Sequence, residues 1–296
     1  MNDIITKENL PENIDKLAAQ RHLYSQAKVY SIIIFIICVL VPVLMSFAKL
    51  LFPTLAIISQ IAIVYSVFAV FVKIGLADCQ NSCRTMAAGI QQLFDCGLFN
   101  LDWNEALCGN KPQPEDIYRA QKGVDRSKLS NWYEEVVSSL EHNVAVLICQ
   151  RTNVTYDQGI RRYFKTCINI MFLIALAIVF LIGLSSGKDM WTWFLYAIVP
   201  LMPIVSWYLD VRKQNEDNLN ALNKLQSLID KCLSGLDSNT PVRKEDLMTI
   251  QNFMYLHRKS SYTIPDFIYK IKRAKSEQAA YYTANQLCSR YSLLQQ

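Results

Sequence analysis

The run VYSIIIFIICVLVPVLMSFA, residues 29–48, contains no charged side chain, and residues 50–72, which follow Lys49, contain none either. Each run is long enough to cross a hydrocarbon core of about 30 Å as a helix that rises about 1.5 Å per residue. Since lipid offers no partner for free backbone groups, a helix is the expected form. Lys49, Phe52 and Pro53 supply a turn between the runs, so this stretch predicts a transmembrane hairpin.

The pattern recurs once. Residues 166–187 and 190–209 are also free of charge and are separated only by Lys188 and Asp189. A soluble protein of 296 residues could not easily cover four helices that are apolar on every side. The chain is therefore predicted to be an all-α membrane protein, with four transmembrane helices arranged as two hairpins and a mostly helical cytoplasmic region.

The uncharged runs divide the chain into five parts. We expect a cytoplasmic N-terminal amphipathic helix in residues 1–28, a first transmembrane hairpin in 29–72, a cytoplasmic middle domain in 73–165, a second hairpin in 166–209 and a cytoplasmic helical tail in 210–296. The first helix should begin at Pro11 and lie at the inner leaflet before it rises into the first span.

Basic residues are unevenly placed around the four runs. Only Lys49 and Lys188 fall in the short turns. The other basic residues near the ends of the runs are Lys28, Lys73, Arg161, Arg162, Lys165, Arg212 and Lys213. This positive-inside bias predicts that both termini and the middle domain are cytoplasmic and that both turns lie outside. No secretory signal is expected, because 28 mostly polar residues precede the first run.

The formal net charge of +5 is concentrated in the tail, which has thirteen Lys and Arg against nine Asp and Glu. A basic segment beside a membrane indicates contact with anionic lipid, and it also suits an anionic ligand.

Residues with catalytic or metal-binding chemistry are scarce. The chain has three His and nine Cys, and the spacing of Cys79, Cys83, Cys96 and Cys108 matches no standard zinc pattern. No Rossmann, P-loop, G-x-S-x-G, H-E-x-x-H or EF-hand pattern is present in the sequence. We therefore expect no metal, no cofactor and no enzyme activity.

A few polar residues lie inside the predicted spans. Ser59, Gln60 and Asn169 are candidates to line a pore, or alternatively to hydrogen-bond a neighbouring helix. No Asp, Glu, Arg or His lies in the middle of a span, which argues against proton relays and ion-coupled transport. Pro42 in the first span, and Pro200 and Pro203 in the fourth, are expected to kink their helices.

The cytoplasmic parts should be helical as well. Helices are expected over residues 77–93, 115–121, 212–234 and 244–259 and after Pro265. Residues 131–141 and 144–153 should form two more helical or mixed elements, whereas 94–103 should be a turn-rich stretch. A 3–4 spacing joins Leu222, Leu225, Ile229, Cys232 and Leu236. This spacing is typical either of a self-association seam or of an ordinary packed face.

Several cytoplasmic segments are similar to one known family. They are AAQRHLYSQAK at 18–28, IQQLFDCGLFNLDWN at 90–104, NWY at 131–133, LICQRTNVTYDQGIRRYF at 147–164 and IQNFMYLHRKSSYTIPDFIYKIKR at 250–273. In this order around four spans, they resemble the SMODS-associating four-transmembrane effector family of bacteria. The resemblance extends through nearly the whole chain.

The resemblance implies a role in anti-phage defence. Such an effector would sit in the bacterial inner membrane, respond to a cyclic oligonucleotide from a neighbouring nucleotidyltransferase, and permeabilise the membrane as a homo-oligomer to arrest the cell. DNA and RNA polymers are not expected partners. The alternative is a membrane scaffold or assembly protein that transports nothing.

Binding a cyclic oligonucleotide would require cations for phosphates and aromatic rings for bases on the cytoplasmic side. The candidates are Trp132, Tyr133, Gln150, Arg151, Asn153, Asp157, Arg161, His257, Arg258 and Lys259. Each has a structural alternative. Arg161 and Arg162 flank a span and would then face lipid headgroups, and Arg151 would pair with Asp157.

Overall fold

The computed structural model describes residues 2–52, 54–185, 189–238 and 240–293, and every regular element in these ranges is a helix. The elements are α1 (Ile4–Glu8), α2 (Pro11–Phe35), a π-helical turn (Ile36–Leu40), α3 (Val41–Leu51), α4 (Ala56–Phe99), α5 (Glu105–Cys108), α6 (Pro114–Gln121), a 3-10 turn (Glu135–Ser139), α7 (His142–Ser185), α8 (Met190–Leu236), α9 (Lys244–Ser260) and α10 (Asp266–Leu293). The predicted all-α class is confirmed for these residues.

Three segments of the described chain are long and apolar enough to cross a membrane, namely Pro11–Lys49, Ala56–Phe99 and His142–Leu181. Their length and composition are those of a membrane protein. The fourth uncharged run, residues 190–209, forms the first part of α8. Pro53 in the first predicted turn and residues 186–188 in the second lie outside the described residues.

Helices α4, α7 and α8 each run without a break between an uncharged run and a charged part of the chain. Helices α4 and α7 have 44 residues each, which corresponds to about 66 Å. The expected turn after residue 93 is wrong, because α4 continues to Phe99 and ends where Asn100 adopts the left-handed conformation with φ 53°. Asn tolerates this conformation better than most residues and ends a helix much as Gly does.

The N-terminal helix packs against other helices of the chain. Helix α2 contacts α4 and α6. Ala18 and Ala19 of α2 and Ala87 and Ala88 of α4 are fully buried. Because alanine side chains are small, the two helix backbones can approach closely, and this fixes the position of α2 beside α4.

The first span accommodates Pro42 through a local change of helix type. Pro42 has no backbone N–H, and the π-helical turn lies just before it. A wider turn leaves a carbonyl to be satisfied, and the Tyr65 hydroxyl of α4 donates to the Ile37 carbonyl at 2.8 Å. Helix α8 continues through Pro200 and Pro203.

Two apolar cores hold the helices together outside the uncharged runs. The larger core joins α4, α7, α8 and α9 through buried residues such as Phe94, Leu147, Ile229 and Ile250. Leu222, Leu225 and Ile229 are buried in it, so their 3–4 spacing marks a packed face. The smaller core lies nearer the spans and consists of Ile160, Phe164, Ile168, Val211, Ile264 and Ile268.

Helix α1 closes the larger core at the N-terminus. The Asn2 amide donates to the carbonyls of Val137 at 2.8 Å and Leu140 at 3.0 Å, and Ile4 is fully buried. Glu8 is only 1% exposed, and its carboxylate accepts the Tyr133 backbone N–H at 3.0 Å. Burial raises the pKa of Glu8 to about 7, although this hydrogen bond acts in the opposite direction.

Glu8→Gln should therefore stabilise the protein at pH 8 and have little effect at pH 5. The folded-state pKa of Glu8 lies above its unfolded value, so its favourable contribution is present at low pH and is lost as the pH rises through about 7. Thermal unfolding of the purified protein should show a gain of about 2–6 °C at pH 8. Glu115→Gln, at an exposed position of α6, serves as the control. Equal melting temperatures for the wild type and Glu8→Gln at both pH values would refute this prediction.

Candidate functional site

A buried polar network surrounds Asp95 near the C-terminal end of α4. The Asp95 side chain is 1% exposed, and its Oδ2 atom lies 2.6 Å from Nη1 of Arg258. Gln251 Nε2 donates to Asp95 Oδ2 at 2.9 Å and to Gln92 Oε1 at 3.0 Å. The Tyr133 hydroxyl donates to Asp95 Oδ1 at 3.3 Å. The carboxylate is thus paired with a cation and hydrogen-bonded on both oxygens.

Helix α7 extends this Asp95 network. Gln150 Nε2 donates to the Leu247 carbonyl at 3.0 Å and to Gln251 Oε1 at 3.1 Å, and Asn153 Nδ2 donates to the Tyr133 hydroxyl at 2.8 Å. Burial, together with the charge of Asp95, raises the pKa of Tyr133 well above its usual value, so its hydroxyl stays protonated. The network brings together four of the predicted binding residues: Tyr133, Gln150, Asn153 and Arg258.

A second group, the Asp157 cluster, lies nearer the spans. Asp157 Oδ2 is 3.0 Å from Nε of Arg161 and 2.8 Å from Nε2 of His257. Burial alone would raise the pKa of Asp157, but the Arg161 charge and the His257 hydrogen bond outweigh it and hold this pKa well below its usual range. Asp157 is therefore ionised at every physiological pH.

One predicted pairing and one predicted side-chain direction are wrong. Arg151 pairs with Asp230 of α8 at 3.2 Å instead of with Asp157. Residues six apart lie on different faces of a helix, whereas Asp157 and Arg161 are four apart and lie on the same face. The Arg161 side chain is only 4% exposed and so points into the protein instead of toward lipid headgroups, while Arg162 is exposed.

Ser261 also reaches His257, but not in the geometry of a catalytic triad. Its hydroxyl lies 3.1 Å from His257 Nε2, the same ring nitrogen that contacts Asp157. In a Ser–His–Asp triad the serine and the carboxylate contact different ring nitrogens. Nδ1 of His257 is buried without a hydrogen-bond partner among the described residues. The arrangement therefore fixes the end of α9 and does not activate a nucleophile.

The other three predicted binding residues lie apart from both groups. Trp132 is 41% exposed, Arg151 lies at the α8 interface with Asp230, and the Lys259 ammonium is 5.9 Å from the ring centroid of Tyr255. Sequence analysis missed Asp95 and its glutamine partners. A usable signal was present, because a single acid within the apolar stretch LFDCGLF requires a buried counterion.

The polar residues of the spans have different surroundings. Asn169 accepts a hydrogen bond from the Tyr208 hydroxyl at 3.0 Å, which joins α7 to α8. Ser59 and Gln60 are exposed on the surface of α4. Among the described residues, no group of three or more His, Cys, Asp or Glu is placed to hold a metal ion.

Comparison with known proteins gives a match over almost the entire chain. The family model described as the SMODS-associating 4TM effector domain matches residues 2–287. A protein of Bacillus cereus (strain VD146), named as a probable CBASS effector molecule, is 24% identical over 283 residues, which cover 93% of this chain and 95% of that protein. No solved structure matches significantly.

The Arg258–Asp95 pair should be a major determinant of stability. Arg258→Gln leaves the Asp95 carboxylate buried without a cation, so the melting temperature should fall by about 5–10 °C. Adding Asp95→Asn to the Arg258→Gln variant removes the unpaired charge. The double variant should recover at least half of the lost melting temperature. Arg290→Gln breaks the exposed pair with Asp237 and should change the melting temperature little. If Arg258→Gln behaved like Arg290→Gln, the buried pair would not have this role.

Proposed function

The chain belongs to the SMODS-associating 4TM effector family, and from this we propose that it is a non-enzymatic membrane effector of anti-phage defence that permeabilises the bacterial inner membrane on a cyclic-oligonucleotide signal. The name of the Bacillus cereus relative, a probable CBASS effector molecule, supports a role in such a system. The apolar helices supply the membrane part, and the two polar groups at the α9 end supply a place for regulation.

We further propose the topology of four spans with both termini in the cytoplasm. The helix assignment supports it, because the uncharged runs of α2 to α4, α7 and α8 alternate with the cytoplasmic cores. The distribution of basic residues supports the orientation, since the cytoplasmic side of a membrane protein carries the excess of Lys and Arg.

One observation carries the regulatory part of the proposal. The adjacent residues His257 and Arg258 of α9 bind different helices, because His257 contacts Asp157 of α7 and Arg258 contacts Asp95 of α4. Both helices continue without interruption into the uncharged runs. A displacement of this end of α9 would therefore act on two membrane-entering helices at once.

A nucleotide phosphate has the chemistry to cause such a displacement. A guanidinium binds a phosphate with the same two-pronged geometry as a carboxylate. A phosphate that takes Arg258 from Asp95 would leave a buried carboxylate without its cation, at a cost of about 3–5 kcal/mol. Separation of α9 from α4 would relieve that cost by admitting water to Asp95. The binding of the ligand would in this way be converted into a movement of α4.

Permeabilisation would require several copies of the chain. Asn169 is engaged between α7 and α8, whereas Ser59 and Gln60 are exposed on the outside of the described chain. A polar path lined by Ser59 and Gln60 would therefore form between subunits of a homo-oligomer and not within one subunit.

Membrane potential in bacteria tests the proposal directly. We expect depolarisation when the protein is expressed with an active cyclic-oligonucleotide synthase and none with an inactive synthase. The amount of protein in the membrane fraction must be equal in both. An unchanged potential with every active synthase tried, despite normal membrane insertion, would favour the scaffold function instead.

Gln60→Leu tests the path through the membrane. Removing the amide should reduce synthase-dependent depolarisation severalfold, since it withdraws one of the two polar side chains that line the proposed path. Ser66→Ala is the matched control, because Ser66 is in the same span and its hydroxyl is bonded to the Ala62 carbonyl of its own helix at 2.8 Å. Equal depolarisation by both variants would exclude Gln60 from the path.

A further inference from the structure

The connector after α9 and the first turns of α10, residues 261–272, form what we call the boundary segment. Two contacts place it beside the first span. The Thr263 hydroxyl lies 2.6 Å from that of Ser31, the third residue of the first uncharged run. Asp266 binds Lys28, the last charged residue before that run, at 2.5 Å. The boundary segment thus lies at the level where the first span leaves the membrane on its cytoplasmic side.

The opposite side of the boundary segment packs against the other hairpin. Ile264 and Ile268 are buried with Phe164 and Ile168 of α7 and Val211 of α8. These residues flank the start of the uncharged run 166–187 and the end of the run 190–209. Three membrane-entering helices therefore fix the depth of the boundary segment.

Apolar side chains remain exposed at this depth. Phe267 is 52% exposed and Ile271 is 58% exposed, and their spacing of four residues places them on one side of α10. Between them, Lys270 is exposed three residues after Phe267, and the structure gives it no acidic partner among the described residues. An apolar pair flanked by a free ammonium is the arrangement of a helix that rests on a bilayer surface.

Further cations lie at the same level. The Lys272 ammonium is 4.9 Å from the ring centroid of Tyr163, next to the exposed Arg162 of α7. Arg212 of α8 is exposed and donates to the Tyr208 hydroxyl at 3.1 Å. Tyrosine rings beside cations are typical of the headgroup region of a membrane.

We infer that the boundary segment is a binding site for anionic phospholipids of the inner leaflet, with Phe267 and Ile271 against the acyl chains. Lys270 and Lys272 point to different sides of α10 and would contact separate headgroup phosphates, Lys270 beside the apolar pair and Lys272 beside Tyr163. Lipid is the occupant that the position requires, because the contacts with Ser31 and Lys28 fix this face at the membrane surface. The inference goes beyond the proposed function, since it needs no signalling nucleotide.

Lipid titration of the full-length protein in neutral detergent tests the inference. Phosphatidylglycerol should raise the melting temperature, and phosphatidylcholine with the same chains should not. For the variant Lys270→Gln/Lys272→Gln, the same rise should need at least about tenfold more phosphatidylglycerol, since one basic residue near an anionic surface changes binding roughly fivefold. An equal response of this variant and the wild type would overturn the inference.

The matched control is Lys224→Gln/Lys231→Gln, which removes the same charge from exposed positions of α8. Lys224 lies 15 residues beyond Leu209, about 22 Å along the helix and more than a Debye length from the membrane. This control should respond to phosphatidylglycerol like the wild type. If this control lost the response to phosphatidylglycerol as strongly as Lys270→Gln/Lys272→Gln, the net charge of the protein and not the boundary segment would explain the effect.

Two further measurements distinguish a lipid from a free anion as the ligand of the boundary segment. Phe267→Ser/Ile271→Ser keeps every charge and changes only exposed positions, so the variant should fold. It should nevertheless need more phosphatidylglycerol than the wild type for the same rise in melting temperature. Glycerol phosphate at the same concentration should leave the melting temperature unchanged. Stabilisation by glycerol phosphate equal to that by the lipid would replace the lipid site with a simple anion site.

Discussion

The buried carboxylate of Asp95 imposes the strictest condition on the helices outside the uncharged runs. A charge in this position is tolerated only where a cation and hydrogen-bond donors reach it together. Those groups come from separate parts of the chain, namely Arg258 and Gln251 of α9 and Tyr133 from the loop before α7. The segments that supply these groups must therefore keep their positions relative to α4. The packing of the larger core depends on these positions.

The same condition explains why the position of α9 is coupled to the positions of α4 and α7. Leu247, Ile250 and Met254 of α9 contribute to the apolar core, but its last turn ends in polar contacts to α4 and α7. The connector that follows accepts hydrogen bonds from Arg84 of α4 at the Ser261 carbonyl and from Arg161 of α7 at the Tyr262 carbonyl. Helices that belong to different hairpins are thus joined through one short stretch of chain.

The sequence predicted the elements that depend on local composition. Runs without charge identify the membrane-entering helices, and α6 (Pro114–Gln121) begins within one residue of the helix expected over 115–121. Features that depend on long-range partners could not be read in this way. The choice of Asp230 for Arg151 requires the position of α8, and the inward direction of Arg161 requires that of Asp157 and the α9 connector. The end of α4 depends on a single left-handed residue, Asn100, for which the surrounding apolar residues gave no signal.

The π-helical turn Ile36–Leu40 gives the first span two distinct halves. A π turn holds one more residue than an α turn, which rotates everything beyond it by about 100° about the helix axis. The first half, α2, packs against α4, and the second half, α3, packs against α8. One continuous helix therefore directs its contact stripe to α4 before the turn and to α8 after it. Deleting a single residue within the turn would restore the phase of an ordinary helix and turn the second half away from α8.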